Sequence, residues 1–155
     1  MPGPVIYAGT FDPVTYGHID LIKRALKLFD RVVVAVAHNP QKHPLFTVHE
    51  RVALLREVTR GLRGVSIDAF DSLVVDYVIK KRARVVIRGL RMLSDFEYEF
   101  QMALTNRKLD NDIATVFLMP HEKYTYLSSS LIREQSLLSR HYVVMFWSVF
   151  TCRTL

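Results

Sequence analysis

Short runs rich in apolar residues alternate along the chain with segments in which apolar residues recur at helical spacing. Runs of this length are typical of strands that are buried on both faces of a parallel sheet. Five runs predict five strands, over Val5–Ala8, Val32–Ala37, Val65–Phe70, Val85–Ile87 and Ile113–Met119.

The segments between these runs predict helices. Thr47 and Glu50 have the spacing of a capping box at a helix start, and so have Ser94 and Glu97. The other helices are marked by apolar residues on one face. These are Ile19, Ile22, Leu26 and Phe29 in the first helix, Leu73, Val74, Tyr77 and Val78 in the third, and Leu131 and Ile132 in the last.

The alternation of strands and helices predicts an α/β fold, namely a single Rossmann-like doubly wound parallel five-stranded sheet with helices on both faces. In such sheets a ligand lies beyond the carboxyl ends of the strands. We therefore expect the loops after the strands to form one site, over residues 9–18, 38–42, 71–74, 88–91 and 120–130.

Composition limits the classes of protein that fit. A chain of 155 residues, 50% of them hydrophobic, fits one globular domain. The net charge of +6 allows a phosphorylated ligand, but the basic residues are scattered, so we expect no nucleic-acid partner. A single cysteine gives no disulfide framework or metal-ligand spacing and favours a cytoplasmic location. We expect no membrane segment, because Tyr142–Phe150 is too short to span a bilayer.

The first candidate site residue is His18. The helical pattern places it in the first turn of a helix, where free backbone N–H groups and the helix dipole favour a phosphate. A histidine at a helix start is usually only a surface residue, and Asp12-Pro13 is an ordinary turn signal. The order strand, glycine loop and helix start nevertheless favours a ligand site.

Further basic and hydroxyl side chains are expected at the same edge of the sheet. Arg88 and Arg91 flank Gly89 directly after a strand, so two guanidinium groups can reach phosphate oxygens. Each of these residues alone could be an ordinary surface residue. Together they indicate a polyphosphate site built from Thr10, His18, Lys42, Arg88, Arg91, Ser128, Ser129 and Ser130.

The motifs resemble those of a known superfamily. Thr15-Tyr16-Gly17-His18 resembles the (H/T)-x-G-H signature of the nucleotidyltransferases. More specifically, the chain from about Val5 to Glu134 is similar to bacterial phosphopantetheine adenylyltransferases, which transfer the adenylyl group of ATP to 4'-phosphopantetheine and release pyrophosphate. The similar motifs are GTFDP at 9–13, GH at 17–18, IRGLR at 87–91, SDFEYE at 94–99, NR at 106–107 and SSSLIR at 128–133.

The resemblance implies roles for individual residues. His18 would stabilise the transition state, with Lys42, Arg88 and Arg91 as further catalytic groups. Phosphopantetheine would contact Thr10, Lys42, Val74 and Arg88. ATP would contact Thr10, Phe11, His18, Gly89, Leu90, Arg91, Glu99, Tyr124, Thr125, Tyr126, Leu127, Ser128, Ser129 and Ser130.

The resemblance also implies cofactors and assembly. Mg2+ would be held mainly by the ATP phosphates, with no protein metal site, and relatives form homohexamers. The attacking phosphate is already an anion at neutral pH, so the reaction needs no general base. Catalysis then depends on alignment and on stabilising the charge that develops on the phosphates.

The end of the chain departs from the family. From Gln135 onward it lacks the Gly-Gly-Asp turn and the amphipathic helix that the resemblance implies, and Ala8 replaces a proline. We assign 1–134 as the nucleotidyltransferase domain and 135–155 as an atypical C-terminal tail of the same domain. A shifted reading frame or a lineage-specific ending would each produce such a tail. Because Tyr142–Phe150 is aggregation-prone if exposed, we expect it to cover the core.

Two alternative functions remain open. Another small-molecule nucleotidyltransferase of the superfamily would share the first motif and the late serines. A catalytically silent nucleotide-binding or nucleic-acid-binding protein is supported only by the basic charge.

Overall fold

The computed structural model describes residues 3–38, 43–126 and 128–138 and confirms the α/β class. The strands are β1 (Val5–Gly9), β2 (Val32–Ala37), β3 (Val65–Phe70), β4 (Val85–Gly89) and β5 (Ala114–Leu118). The helices are α1 (Tyr16–Ala25), α2 (Val48–Val58), α3 (Val74–Lys80), α4 (Leu93–Leu109) and α5 (Ser129–Leu138), with a 3-10 turn at Glu122–Tyr124. Lys42, Leu127 and Tyr142–Phe150 lie outside the described residues.

The five strands form one parallel sheet in the order β3-β2-β1-β4-β5. The chain moves outward from β1 through β2 to β3, and then returns to place β4 on the other side of β1. The order of strands therefore reverses between β1 and β4. Ligands of doubly wound sheets bind at such a switch point.

Alternating residues of β1, β2 and β4 build two cores, one on each face of the sheet. In β1, Val5 and Tyr7 pack on the face that carries α1 and α2, whereas Ile6 and Ala8 pack on the face that carries α3. This alternation follows from the two-residue period of a strand. Apolar residues are therefore needed at successive positions, which explains why β1, β2 and β4 could be predicted from continuous apolar runs.

Two predicted helix starts had different outcomes. Thr47 caps α2, and its hydroxyl and the Glu50 side chain form the predicted reciprocal capping box. The box predicted at Ser94 and Glu97 is wrong, because α4 begins at Leu93 and its N-cap, Met92, makes no side-chain cap hydrogen bond. Ser94 already lies inside the first helical turn, so it cannot serve as the N-cap.

The predicted element ends shift by a few residues. Helix α1 ends at Ala25, before Leu26 and Phe29, which nevertheless pack against the core. Strands β1 and β4 continue to Gly9 and Gly89, one or two residues beyond their apolar runs. Among the described residues, no helix is both long enough and apolar enough to cross a membrane.

Candidate active site

A pocket of about 300 Å³ lies at the carboxyl ends of β1 and β4. Its walls come from segments that are distant in sequence: the end of β1 and the loop into α1, the end of β4, helix α4 and the start of α5. The residues that line it are Tyr7, Ala8, Gly9, Thr10, Phe11, Asp12, Thr15, Gly17, His18, Leu21, Pro44, Arg51, Arg88, Gly89, Arg91, Tyr98, Glu99, Pro120, Ser128, Ser129, Ser130 and Arg133.

The pocket brings together most of the predicted site residues within the described part of the chain. Those that line it are Thr10, Phe11, His18, Arg88, Gly89, Arg91, Glu99, Ser128, Ser129 and Ser130. Five others lie outside its lining: Val74, at the start of α3; Leu90, whose amide donates to the Leu118 carbonyl; and Tyr124, Thr125 and Tyr126, around the 3-10 turn. The roles of both sets of residues stay predictions.

The loop after β1 is shaped around Phe11. Its φ of 49° is in the left-handed region, which is uncommon for a residue with a large side chain and occurs often at functional sites. A Cβ on Gly9 would lie only 3.0 Å from the Phe11 ring. Glycine at position 9 therefore leaves the space that the buried Phe11 side chain occupies.

His18 is held by a hydrogen bond from the N-cap of α1. The Thr15 backbone N–H donates to His18 Nδ1 at 3.0 Å, and the Thr15 hydroxyl lies 3.0 Å from the same nitrogen. A backbone N–H can only donate, so Nδ1 carries no proton. In the neutral ring the proton is then on Nε2, which makes that nitrogen a hydrogen-bond donor.

The surroundings of His18 favour the neutral ring. Burial, assisted by the positive charge of Arg91, lowers the pKa of His18 to about 4. The Phe11 ring packs against it edge-on, with centroids 5.0 Å apart. At neutral pH, His18 is therefore a neutral donor rather than the cation that the sequence left open.

Arg88 is fixed by Glu99 of α4. Its Nε and Nη2 donate to the two carboxylate oxygens of Glu99, each at 2.6 Å, and its Nη1 donates to the Ala8 carbonyl at 2.7 Å. A guanidinium has five N–H bonds, so this arrangement leaves two for a ligand. Glu99 thus positions the arginine and neutralises much of its charge. The resemblance implied only a contact of Glu99 with ATP, and no pattern in the sequence predicts this pairing.

Arg91 lies at the rim of the pocket, beyond the end of β4. Its Nε is 3.3 Å from Asp95 Oδ2, and its backbone N–H donates to the same oxygen at 3.3 Å. The contact is at i, i+4, and the Arg91 side chain is 36% exposed. Arg91 is therefore the more exposed of the two arginines.

Arg51, which the sequence did not single out, is buried to 1% exposure at one wall of the pocket. Its Nη1 donates to the carbonyls of Thr10 and Ala37 at 2.8 and 3.2 Å, and its Nε donates to the Phe46 carbonyl at 3.0 Å. One α2 side chain therefore joins the loop after β1, the end of β2 and the segment before α2.

Asp12 joins two of these three segments, the loop after β1 and the segment before α2. Its carboxylate accepts the backbone N–H groups of Leu45 and Phe46 at 2.8 and 2.9 Å, and it is buried to 2% exposure. Asp-Pro is an ordinary turn signal in the sequence, which gives no indication of these contacts across the chain.

Helix α5 is attached to the loop after β1. The Ser129 hydroxyl donates to the Pro13 carbonyl at 2.8 Å, and Arg133 Nη1 donates to the Asp12 carbonyl at 2.7 Å. These bonds place the amino-terminal end of α5 at the mouth of the pocket. Backbone N–H groups at such an end favour an anion.

Comparisons with known proteins identify the family. A family model described as cytidylyltransferase-like matches residues 6–135. The phosphopantetheine adenylyltransferase of Caldanaerobacter subterraneus subsp. tengcongensis is 59% identical over 83% of this chain and 81% of its own length. That of Alkaliphilus metalliredigens is 54% identical over 83% and 82%. The chain belongs to the phosphopantetheine adenylyltransferase family.

Two solved structures of other proteins share the fold of this phosphopantetheine adenylyltransferase family member. A bifunctional NMN adenylyltransferase/ADP ribose pyrophosphatase from Francisella tularensis matches with a TM-score of 0.67 at 13% identity, over 87% of this chain and 42% of that one. A lipopolysaccharide core biosynthesis protein from Thermoplasma volcanium matches with a TM-score of 0.55 at 24% identity, over 76% and 95%. At these identities the likeness concerns the fold alone.

All the residues that line the pocket, from Tyr7 to Arg133, fall within the 6–135 match. The matched segment ends inside α5, which continues to Leu138. The helix therefore crosses the boundary drawn at residue 134 between the phosphopantetheine adenylyltransferase-like part and the tail.

Proposed function

We propose that this protein transfers the adenylyl group of ATP to 4'-phosphopantetheine, giving dephospho-coenzyme A and pyrophosphate. The observation that carries the proposal is the pocket, in which a neutral histidine donor shares one cavity with Arg88, Arg91 and the start of α5. Curated relatives at 52–59% identity bear the name of this activity.

The chemistry follows from the charges of the reactants. An oxygen of the phosphopantetheine phosphate forms a bond to the α-phosphorus of ATP, and the bond from that phosphorus to the bridging oxygen breaks, releasing pyrophosphate with its electron pair. The attacking oxygen carries no proton to remove, so a general base is unnecessary. The site has to align two anions and stabilise the charge that develops between them.

His18 is suited to this role because it is neutral. In our proposal, its Nε2–H donates to an α-phosphate oxygen, and the bond strengthens as charge accumulates in the transition state. Since Thr15 holds the ring through Nδ1, the donor is already oriented before the substrates bind. A donor that is oriented in advance needs no reorganisation during the reaction.

The remaining roles are proposed from position. The two free N–H bonds of Arg88 would bind the attacking phosphate, and Arg91 with Ser129 and Ser130 would bind the ATP phosphates. Thr10 and Phe11 would contact the nucleotide from the loop after β1. For Lys42, Val74, Leu90 and the segment 124–127, the support is the resemblance alone.

We propose that Mg2+ enters with the nucleotide. Both carboxylates that line the pocket already accept hydrogen bonds within the protein. Asp12 accepts from the backbone N–H groups of Leu45 and Phe46, whereas Glu99 accepts from Arg88. Among the described residues there is also no group of three or more histidine, cysteine, aspartate or glutamate side chains that could hold a metal. The phosphates themselves would hold the ion, which would add positive charge to them when bound.

Assembly and location are further parts of the proposal. Helix α4 exposes several large apolar side chains, which supports an oligomer such as the homohexamer implied by the resemblance. They are Leu93, Phe96, Tyr98, Phe100, Leu104 and Leu109. A cytoplasmic location and a domain of residues 1–134 with a tail at 135–155 also stay proposals, supported by the single cysteine and by the match to residues 6–135.

The test is direct. The purified protein is incubated with Mg-ATP and 4'-phosphopantetheine, and we expect mass spectrometry to detect dephospho-coenzyme A together with pyrophosphate. Parallel reactions contain CTP in place of ATP, and nicotinamide mononucleotide in place of phosphopantetheine. Product only in one of the parallel reactions would replace the proposal by another nucleotidyltransferase activity, and no product in any would reject catalysis.

A further inference from the structure

Tyr7 lies at the floor of the pocket and has no role in the reaction described so far. Its side chain is buried to 4% exposure and lines the cavity. Its hydroxyl has no hydrogen-bond partner within residues 3–38, 43–126 and 128–138. In the described residues, the fully buried polar side-chain atoms without a partner are Arg51 Nη2 and Thr115 Oγ1, and the Tyr7 hydroxyl is not one of them. The hydroxyl is therefore reachable from the pocket, where a ligand or a water can be its partner.

The Tyr7 ring is held firmly from one side. It packs edge-on against Phe11, with centroids 5.2 Å apart and an interplanar angle of 88°, and it lies 6.5 Å from the His18 ring. Tyr7 is also paired in the sheet with Val34 and Ile87. The hydroxyl therefore has a defined position relative to His18.

Gly89 keeps the space beside this hydroxyl open. Gly89 lines the same pocket, and a Cβ added to it would lie 3.8 Å from the Tyr7 hydroxyl and 2.5 Å from a methyl group of Leu21. The charged groups that act on the phenol are Arg88, Arg91 and Glu99, all of which also line the pocket. The hydroxyl thus lies on the floor of the cavity in which the phosphates are expected.

We propose that the Tyr7 hydroxyl donates a hydrogen bond to a substrate phosphate oxygen at the floor of the pocket. Tyr7 becomes a substrate-contacting residue beside His18, and the shared chemistry is that of a phosphate anion, from either phosphopantetheine or ATP. The inference rests on the proposed function, because it needs phosphates in this cavity.

The protonation state of Tyr7 agrees with a donor role. Burial raises the pKa of the phenol, and this effect outweighs the opposing charges of Arg88 and Arg91. The hydroxyl therefore keeps its proton throughout the neutral range. It offers a donor to an anion without adding a charge to the site.

The test replaces Tyr7 by phenylalanine, which keeps the ring packing and removes only the hydroxyl. We expect kcat/KM to fall about 10- to 100-fold, the range for loss of one hydrogen bond to a charged group, with no loss of thermal stability. The matched control is Tyr77→Phe. Its hydroxyl donates to Asp68 at 2.8 Å outside the pocket, so its removal should leave both substrates' kcat/KM unchanged.

The kinetic constants identify the phosphate. A higher KM for phosphopantetheine alone assigns the hydroxyl to the acceptor phosphate, a higher KM for ATP alone assigns it to the triphosphate, and a fall in kcat alone assigns it to charge formed in the transition state. A Tyr7→Phe variant with kcat/KM within twofold of the wild-type values for both substrates would overturn the inference. So would a fall in thermal stability with unchanged kinetic constants.

Failure of the proposed function can be separated from failure of this inference. If the wild-type protein forms no dephospho-coenzyme A, the proposed activity is wrong. The contact between the Tyr7 hydroxyl and a phosphate is then tested by calorimetric titration with ATP and with inorganic pyrophosphate. Weaker binding of either anion by Tyr7→Phe than by the wild-type protein supports the contact. Equal affinities of the two proteins for both anions reject it.

Discussion

At the scale of single residues, His18 shows how one backbone hydrogen bond selects the chemistry of a side chain. The Thr15 amide occupies Nδ1, and the surroundings hold the pKa near 4, so the ring is neutral and donates through Nε2. A histidine in a first helical turn could be predicted from the sequence. Its protonation and orientation could not, because they depend on Arg91 and on ring contacts with Phe11.

Replacing His18 by alanine tests its role. We expect kcat to fall about 10²- to 10³-fold, because one donor to the developing charge is lost, while KM for ATP changes little. Steady-state kinetics with both substrates measure the two constants. His121→Ala, which alters an exposed histidine outside the pocket lining, is the control, and an unchanged kcat in His18→Ala would contradict the role.

The low pKa of His18 also predicts how stability depends on pH. Between about pH 6.5 and 4 the unfolded chain binds a proton at this residue and the folded protein does not, so acidification favours unfolding. The contribution is complete above pH 6.5 and is lost as the pH falls to about 4, a change of about 3 kcal/mol.

Urea unfolding of His18→Gln and wild-type protein across this pH range measures the contribution. The variant should lose less stability on acidification than the wild-type protein. His49→Gln, at an exposed position of α2, should keep the wild-type dependence. Parallel curves for His18→Gln and the wild-type protein would show that His18 titrates normally in the folded state.

At the scale of elements, helix α4 acts on the pocket through one ion pair. Glu99 fixes Arg88 with two hydrogen bonds, and the two side chains are 12% and 25% exposed. Their positions lie on different elements, so periodicity along the chain gives no signal that they meet. The helix that carries exposed apolar residues thus also supplies the partner of an arginine that lines the pocket.

Glu99→Gln tests this ion pair. Because the variant leaves a largely buried guanidinium without its counter-charge, we expect the free energy of unfolding to fall by about 3 kcal/mol. The control is Glu57→Gln, which breaks the exposed Arg60–Glu57 pair and should cost less than about 1 kcal/mol. Chemical denaturation measures both, and equal losses in the two variants would show that the Arg88–Glu99 pair is no stronger than a surface pair.

Helix α2 offers a second test at this scale. Arg51 reaches carbonyls of three separate segments, and a lysine has no planar fork with which to bridge them. We expect Arg51→Lys to lower the free energy of unfolding by about 2–4 kcal/mol. Arg56→Lys, on the exposed side of the same helix, should change it by less than about 0.5 kcal/mol. A cost of Arg51→Lys as small as that of Arg56→Lys would exclude a joining role for the guanidinium.

At the scale of the whole molecule, the architecture could be predicted from the sequence more completely than the site. Buried parallel strands are apolar at successive positions, so their runs were visible, and the parallel sheet placed the loops at one edge. The contacts that assemble the pocket were not visible. Arg51 looks like one charged residue of an amphipathic helix, and Asp12 looks like part of a turn, because a partner far away in the chain leaves no local pattern.

The bond between Arg133 and the Asp12 carbonyl joins positions that are 121 residues apart. During synthesis on a ribosome, β1 and the loop after it emerge first, and α5 emerges only when nearly the whole domain has been made. A nascent chain that stops before Ser128 contains every strand of the sheet but lacks one wall of the pocket. Prematurely ended products should therefore be able to collapse around the strands while remaining unable to capture a nucleotide.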